Sequence, residues 1–360
     1  MFTGYRQYNS NSYRTQRHNL GQSLIRKGEF SMKKYLFITA CIALIFAALT
    51  ACSNGGPAAA PSDSGTGRQI TVGILQMMEH PSLDLIRESF LAEMEALGYT
   101  DVVFDHRNGV GADMTVLTTI AQVFVGNEVD LILAIATPAA QAAAASTSDI
   151  PIVFGAITDP IRAGLVADLR YPDANITGTS DAICVESIFE FGFQLVPGIQ
   201  TVGFVYNLGE VNSVAAIDRA KALLTSMGIS YREATVTSTA DVQQAALSLV
   251  GHVDAFFTPT DNTVAAAMPV FAQVAIDAGL PIFTGADSMV IDGGLATVGI
   301  DYAILGAETA RMVSQILGGA AIADVPVITM QDFRTIVNRH TAEAIGVSLD
   351  NLPSHVEIYP

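Results

Sequence analysis

The feature that most constrains the fold is a regular alternation of short apolar runs and segments with helical periodicity, which starts near residue 70. Short apolar runs indicate buried strands, and apolar residues three or four positions apart indicate the buried face of a helix. Strands are predicted at 70–75, 102–105, 131–136, 151–154, 201–206, 230–234, 255–258 and 281–283, and helices at 81–97, 114–124, 138–146, 187–195, 211–227, 240–249 and 264–278. Strands that alternate with helices form parallel βαβ units with helices on both faces of the sheet. The sequence therefore predicts an α/β fold with two doubly wound parallel-sheet lobes.

A different pattern precedes this alternating part. Met32-Lys33-Lys34 is followed by an apolar run over 35–50, and Leu49-Thr50-Ala51 leads to Cys52. The run is short for a membrane span, so a cleaved signal peptide over 32–51 is the favoured interpretation, with an unmodified cleavage site or a short anchor as the alternatives. Leu-Thr-Ala-Cys resembles a lipobox. The resemblance implies that Cys52 is lipidated and that the mature protein is anchored at the extracytoplasmic face of the cell membrane.

The segments on either side of the signal peptide are not expected to fold. Residues 1–31 carry Arg6, Arg14, Arg17, Arg26 and Lys27 but no apolar periodicity, and signal peptides begin close to their first Met. We therefore interpret residues 1–31 as a mis-assigned upstream extension and Met32 as the true start. Residues 52–68 are rich in Gly, Ser, Pro and Ala, a composition typical of a flexible tether.

Charge and cysteine content exclude several classes of partner. Residues 1–51 contain seven of the 18 basic residues and one of the 35 acidic ones, so their removal changes the net charge from −17 to −23. Such an acidic surface repels nucleic acid and the anionic head groups of membrane lipids. The lipid anchor on Cys52 is therefore the only expected contact with the membrane. Cys184 alone remains after loss of Cys41 and lipidation of Cys52, and neither a cysteine or histidine metal motif nor a nucleophile motif is present. We expect no cofactor, no metal and no enzymatic activity.

Polar residues cluster in the loops that follow the predicted strands. Ligands of doubly wound sheets bind at these carboxyl ends. The candidate ligand-binding residues are Gln76, His80, Thr137, Pro138, Thr158, Asp159, Asp181, Asn207, Asn212, Ser213, Thr260, Asp261, Asn262 and Asp287.

Two kinds of contact are expected among these candidates. Thr137-Pro138 opens a predicted helix, whose N–H groups could receive a carboxylate, although plain helix capping explains the same pair. A ligand ammonium needs an acidic partner, and Asp261, Asp287, Asp181 and Glu210 are the candidates. Asp261 could instead cap a helix, and Asp159 before Pro160 could instead fix a turn.

Linked motifs in the chain resemble a known family. Ile157-Thr158-Asp159-Pro160 and the following Gly164-Leu165-Val166, with Asn175-Ile176-Thr177-Gly178 further on, are similar to a signature of the substrate-binding lipoproteins of ABC transporters, in the tryptophan/tyrosine-binding group. The segments at 293–302, 316–327 and 338–346 match the same group. The resemblance covers about 69–352. It implies a type I periplasmic-binding-protein fold, a small ligand such as an aromatic amino acid, and an ABC permease as partner.

The resemblance also predicts how the chain divides. Three crossovers are expected near 178–181, 299–302 and 324–327, with Gly178 and Gly299 as hinges. Lobe 1 would comprise 69–179 and 299–325, and lobe 2 would comprise 180–298 and 326–360. Solute capture by closure of the two lobes is the favoured function, and a ligand sensor that presents its closed form to a membrane receptor is the alternative.

Overall fold

The computed structural model describes residues 68–110, 113–350 and 352–360. The predictions for the upstream extension, the signal peptide, Cys52 and the tether up to residue 67 lie outside these residues. The strands are β1 Thr71–Gln76, β2 Val103–Asn108, β3 Leu131–Ile135, β4 Ile152–Gly155, β5 Ile176–Ser180, β6 Thr201–Asn207, β7 Ser230–Val236, β8 Ala255–Thr258, β9 Ile282–Thr284, β10 Ala296–Ile300, β11 Ile328–Thr329, β12 Phe333–Asn338 and β13 Val356–Tyr359.

Helices lie between most of these strands. The α-helices are α1 Pro81–Ala96, α2 Met114–Gly126, α3 Thr137–Ser146, α4 Val185–Leu195, α5 Val211–Ser226, α6 Val242–Leu249, α7 Asn262–Ala265, α8 Met268–Asp277, α9 Asp287–Ile291, α10 Tyr302–Leu317 and α11 Arg339–Ile345. Short 3₁₀ turns occupy Thr239–Asp241 and Ile322–Asp324.

The described strands form two sheets, which define two lobes. The six-stranded sheet of lobe 1 has the order β11-β5-β4-β3-β1-β2, and the seven-stranded sheet of lobe 2 has the order β13-β12-β10-β9-β8-β6-β7. The strands pair in parallel, except that β10 and β12 pair antiparallel. Buried strands such as β3, whose residues are all buried, need helices on both faces. The predicted α/β fold with two doubly wound lobes is confirmed.

Three crossovers join the lobes. The chain leaves β5 of lobe 1 for α4 of lobe 2, returns from β10 to α10 of lobe 1, and leaves β11 of lobe 1 for β12 of lobe 2. The third crossover lies later than the sequence predicted, because Ile328 and Thr329 pair with β5 and so belong to the first sheet. The first two lie within a few residues of their predicted positions, after Ser180 and after Ile300.

The two glycines predicted as hinges lie inside strands rather than in the crossovers. Gly178 belongs to β5 with φ 158°, and a Cβ there would lie 2.1 Å from the carbonyl oxygen of Phe154 on the neighbouring strand. Its glycine is thus required by close strand packing. Gly299 lies within β10 and has no positive φ.

Aromatic residues dominate the core of lobe 2. The rings of Phe189 and Phe257 lie 4.9 Å apart, and Phe257 packs edge-on against Phe204. Phe256 contacts Phe271 on the opposite face of the sheet. These rings are fully buried, so they supply packing energy rather than a ligand surface.

Candidate functional site

A cavity lies where the carboxyl ends of the strands of both lobes face each other. It holds about 350 Å³ of space that no atom fills, part of it open to solvent. The lining residues are His80, Ser82, Leu83, Thr137, Ala156, Thr158, Asp181, Asn212, Thr260, Asp261, Asn262, Ala265, Ala286, Met289 and Tyr302. The residues from both lobes, together with their mutual hydrogen bonds, show that the structure is in a closed arrangement.

On the lobe 1 side, the wall includes the start of α3. Ala136, the residue before this helix, has φ 77° and ψ 155°, a conformation that residues other than glycine rarely adopt. Thr137 is buried at the first helical position, and Pro138 follows it. The first N–H groups of a helix have no partner within the helix, and the helix dipole adds positive potential there. This wall is therefore suited to a carboxylate.

On the lobe 2 side, Glu210 organises the start of α7. Its carboxylate accepts hydrogen bonds from the backbone N–H groups of Asn262 and Thr263, both at 3.0 Å. It also accepts from the Asn262 amide at 2.6 Å and from the Thr263 hydroxyl at 2.8 Å. Glu210 is almost fully buried, and these four donors take the place of water around its charge.

Asp261 is fully buried beside Glu210 and lines the cavity. Its carboxylate accepts from the N–H of Asn207 at 2.7 Å and caps α7 through the N–H of Val264 at 2.9 Å. Burial, and then the nearby Glu210 charge, raise the pKa of Asp261 to about 7. Asp261 therefore caps a helix and also lines the cavity.

A chain of hydroxyl groups connects the lobes next to Asp181. The hydroxyls of Thr158 and Tyr302 donate to the Asp181 carboxylate at 2.9 and 3.0 Å. Because Thr158 uses its proton there, the Thr260 hydroxyl donates to the Thr158 oxygen, at 3.0 Å across the lobes. Burial raises the pKa of Asp181.

The buried acids at the cavity lack a basic partner. In the part of the chain that the structure describes, no Lys or Arg forms an ion pair with Asp181, Glu210 or Asp261. Buried charges are normally paired, so this wall is suited to a cation supplied by a ligand.

Several predicted contacts are engaged elsewhere. Gln76 binds Arg87, Asp84 and the Met78 carbonyl, all next to α1. Asp159 accepts from the N–H of Arg162 and so fixes a turn. The residues of the predicted set that do not line the cavity are Gln76, Pro138, Asp159, Asn207, Ser213 and Asp287.

Asp287 is the most consequential of the residues that do not line the cavity. Its carboxylate accepts from the N–H of Ser288 and lies 3.6 Å from Arg334, so it already has a cationic partner. Asn207 and Ser213 support Asp261 instead of lining the cavity, since Asn207 donates its N–H to that carboxylate and the Ser213 hydroxyl lowers its pKa.

Sequence reasoning missed the less polar part of the lining. Leu83, Met289 and the alanines at 156, 265 and 286 line the cavity, as does the ring of Tyr302. Tyr302 begins α10 directly after the second crossover. The sequence predicted this crossover but did not indicate that Tyr302 lines the site. The aromatic residues Phe256, Phe257 and Tyr206 of β6 and β8 are not among the lining residues.

No group of three or more His, Cys, Asp or Glu side chains within 68–110, 113–350 and 352–360 is arranged to hold a metal ion. Among those same residues, no helix has the length and apolar character needed to cross a bilayer.

Residues 71–354 match the family model described as ABC transporter substrate binding protein. The chain belongs to this family. It is 36% identical over 329 residues to the tyrosine-binding protein of Clostridioides difficile (strain R20291), which covers 89% of this chain and 95% of that protein. The family match favours solute capture for a transporter over the sensor alternative.

Two solved structures of similar proteins differ in how well they superpose on this substrate-binding protein. An ABC domain from Streptococcus pneumonia in complex with L-Trp is 35% identical, with a TM-score of 0.76 over 79% of this chain and 97% of that one. The ligand-free, open structure of a Clostridium difficile substrate-binding protein is 36% identical, with a TM-score of 0.62 over 81% and 99%. At nearly equal identity, the lower score against the open structure agrees with the closed arrangement described above.

Proposed function

We propose that this protein captures an aromatic amino acid, tyrosine or tryptophan, between its lobes and delivers it to an ABC permease. The observation that carries the proposal is the pairing of opposite walls in one cavity. The N-terminus of α3 at Thr137 suits the ligand carboxylate, and Asp181 and Asp261, which lack a basic partner, suit its ammonium. Asn212 adds an acceptor, since its amide N–H donates to the Thr260 carbonyl at 2.8 Å and leaves the side-chain oxygen without a partner.

The rest of the lining supports an aromatic side chain on the ligand. Leu83 offers an alkyl surface, Met289 a thioether and Tyr302 a ring. These groups pack well on aromatic faces. The names of the two similar proteins, one a tyrosine-binding protein and one an L-Trp complex, point to the same class of ligand.

Calorimetry on the purified protein with the amino acids tests this function. We expect tyrosine or tryptophan to bind with release of heat or a raised melting temperature, and acidic or basic amino acids not to bind. At 100 times its dissociation constant, a ligand adds about 2.7 kcal/mol to the free energy of unfolding. Absence of binding by every aromatic amino acid would reject the proposal.

We further propose that residues 32–51 are cleaved as a signal peptide and that Cys52 is lipidated, so that 52–68 tether the folded part to the extracytoplasmic face of the membrane. A lipid with two chains is enough for stable anchoring. Cys52→Ala should release the protein from the membrane fraction or leave its signal uncleaved. Retention of processed Cys52→Ala protein in the membrane would contradict the assignment, and mass spectrometry of the precursor would show whether translation begins at Met32.

A further inference from the structure

The protonation of His80 follows from the hydrogen bonds around it. The Asn262 amide donates its N–H to Glu210 at 2.6 Å, which fixes the orientation of that amide. The Asn262 oxygen therefore faces His80 Nε2, at 3.1 Å across the lobes. An amide oxygen only accepts, so Nε2 carries the proton. Burial lowers the pKa of His80, which keeps the ring neutral and leaves Nδ1 with a lone pair.

This Nδ1 atom is a buried acceptor without a donor. His80 is 7% exposed and lines the cavity, and no described residue donates to its Nδ1. A carboxylate cannot satisfy an acceptor. The ligand ammonium has acidic partners at Asp181 and Asp261 and a further acceptor at Asn212, so the imidazole remains for another donor of the ligand.

We propose that His80 Nδ1 accepts a hydrogen bond from the aromatic side chain of the ligand, either the O–H of tyrosine or the ring N–H of tryptophan. This contact makes the protein bind tyrosine and tryptophan more tightly than phenylalanine. The inference rests on the proposed function and names the group that discriminates within the ligand class. His80 sits on the loop between β1 and α1, and Asn262 on lobe 2 holds its ring in place.

Selection arises from closure of the lobes. In an open cleft, water can donate to Nδ1. Closure on tyrosine or tryptophan replaces that water with a ligand donor, whereas closure on phenylalanine buries the acceptor unpaired. A buried acceptor left without a partner weakens binding by roughly 10- to 100-fold, and this factor is the expected preference over phenylalanine.

Two substitutions separate the two nitrogens of the ring. His80→Gln places an amide near the position of Nε2, so it can still donate to Asn262 but lacks the acceptor at Nδ1. His80→Asn places its amide near Nδ1 and loses the contact with Asn262. Calorimetry on the purified full chain in detergent should compare tyrosine with phenylalanine, and tryptophan with 3-benzothienylalanine, in which sulfur replaces the ring N–H. Melting temperatures of both variants report their folding.

We expect His80→Gln to bind tyrosine and phenylalanine with similar affinity, because phenylalanine no longer buries an unpaired acceptor and tyrosine loses the partner of its O–H. His80→Asn should weaken both ligands by a similar factor, because an interlobe contact is lost, and should keep the preference for tyrosine. Equal losses of tyrosine and phenylalanine in His80→Gln would overturn the proposal, because the lost contact would then be one that both ligands share. A wild-type protein that binds phenylalanine as well as tyrosine would also overturn it while leaving the proposed function intact; failure to bind any of them would reject the proposed function itself.

Discussion

At the scale of single residues, the acidic side chains near the cleft differ in their binding partners. Asp287 has Arg334 at 3.6 Å, whereas Asp181 is held by the hydroxyls of Thr158 and Tyr302. Hydroxyl groups can rotate and so tolerate an amide in place of the carboxylate. Asp261 accepts from two backbone N–H groups, which an amide N–H would oppose. Asp181 is therefore the acid whose charge can be removed with least disturbance of the fold.

We expect Asp181→Asn to weaken binding of the amino acid ligand by about 2–5 kcal/mol, on the scale of removing one member of a buried charge pair. Asp287→Asn is the matched control, because this residue does not line the cavity and its substitution should affect stability through Arg334 rather than affinity. Calorimetry on both variants checks this. If Asp287→Asn loses affinity and Asp181→Asn does not, the ammonium lies at Asp287 rather than at Asp181.

The raised pKa of Asp261 makes a second prediction at this scale. Without a cation its pKa of about 7 exceeds the ordinary value of 3.8, so its contribution to folding stability is present below about 3.8 and is lost as pH rises through about 7. A bound ammonium requires the ionised form. Affinity should therefore fall as pH drops below 7, by up to about tenfold per pH unit.

Proton release measures this coupling directly. Calorimetry at pH 6 in buffers of different ionisation enthalpy should show that ligand binding releases up to about one proton. Heats that are independent of the buffer at pH 6 would mean that Asp261 is already ionised in the ligand-free protein.

At the scale of elements, the junction of β3 and α3 combines strain with a binding surface. Ala136 adopts φ 77° directly before the helix whose first residue, Thr137, lines the cavity. Such a conformation costs a residue other than glycine of order 1–3 kcal/mol, and it persists where the surrounding structure enforces it. Here β3 is buried along its whole length, and the Ala136 N–H donates to the Gly155 carbonyl at 3.0 Å.

Ala136→Gly should relieve this strain. We expect the free energy of unfolding to rise by about 1 kcal/mol, since the strain relieved exceeds the entropy cost of glycine. Ala143→Gly, inside the same helix, is the control and should lower stability by about 1 kcal/mol or more. Urea unfolding of both variants measures the difference. A loss of stability in Ala136→Gly similar to that in Ala143→Gly would show that the residue is not strained.

The elements also show what sequence could predict. The spacing of apolar residues and the short apolar runs located the βα units, since strand and helix periodicities are local signals in the sequence. The predicted helix at 264–278 is instead two helices, α7 and α8, because Glu210 binds the first turn of α7 and Pro269 follows the start of α8. The role of Glu210 depends on residues about 52 positions away, and the partner of Asp287 is Arg334. Such long-range contacts leave no periodic signal, so sequence could name these acids but not choose among them.

At the scale of the whole molecule, contacts between the lobes stabilise the closed arrangement. The hydroxyls of Ser82 and Ser288 meet across the cleft, as do His80 and Asn262, and Thr158 and Thr260. At the rim, Arg162 of lobe 1 forms an ion pair with Asp218 of α5 at 2.6 Å. Asp159 fixes the turn that carries Arg162 through its bond to the Arg162 N–H. Asp159, which was predicted to touch ligand, thus holds the turn that carries an ion pair between the lobes.

The rim ion pair allows closure to be tested apart from ligand contacts, because neither partner lines the cavity. Exposed ion pairs contribute about 0.2–1 kcal/mol, so Arg162→Glu or Asp218→Arg should weaken ligand binding by up to about fivefold. The double reversal should restore most of the affinity, and high salt should reduce all of these differences. Small-angle scattering of the wild type should show compaction on addition of ligand, with a smaller change at subsaturating ligand in each single variant. A double reversal no better than the single variants would show that the pair does not contribute to closure, and identical scattering profiles with and without saturating ligand would refute lobe closure as the mode of capture.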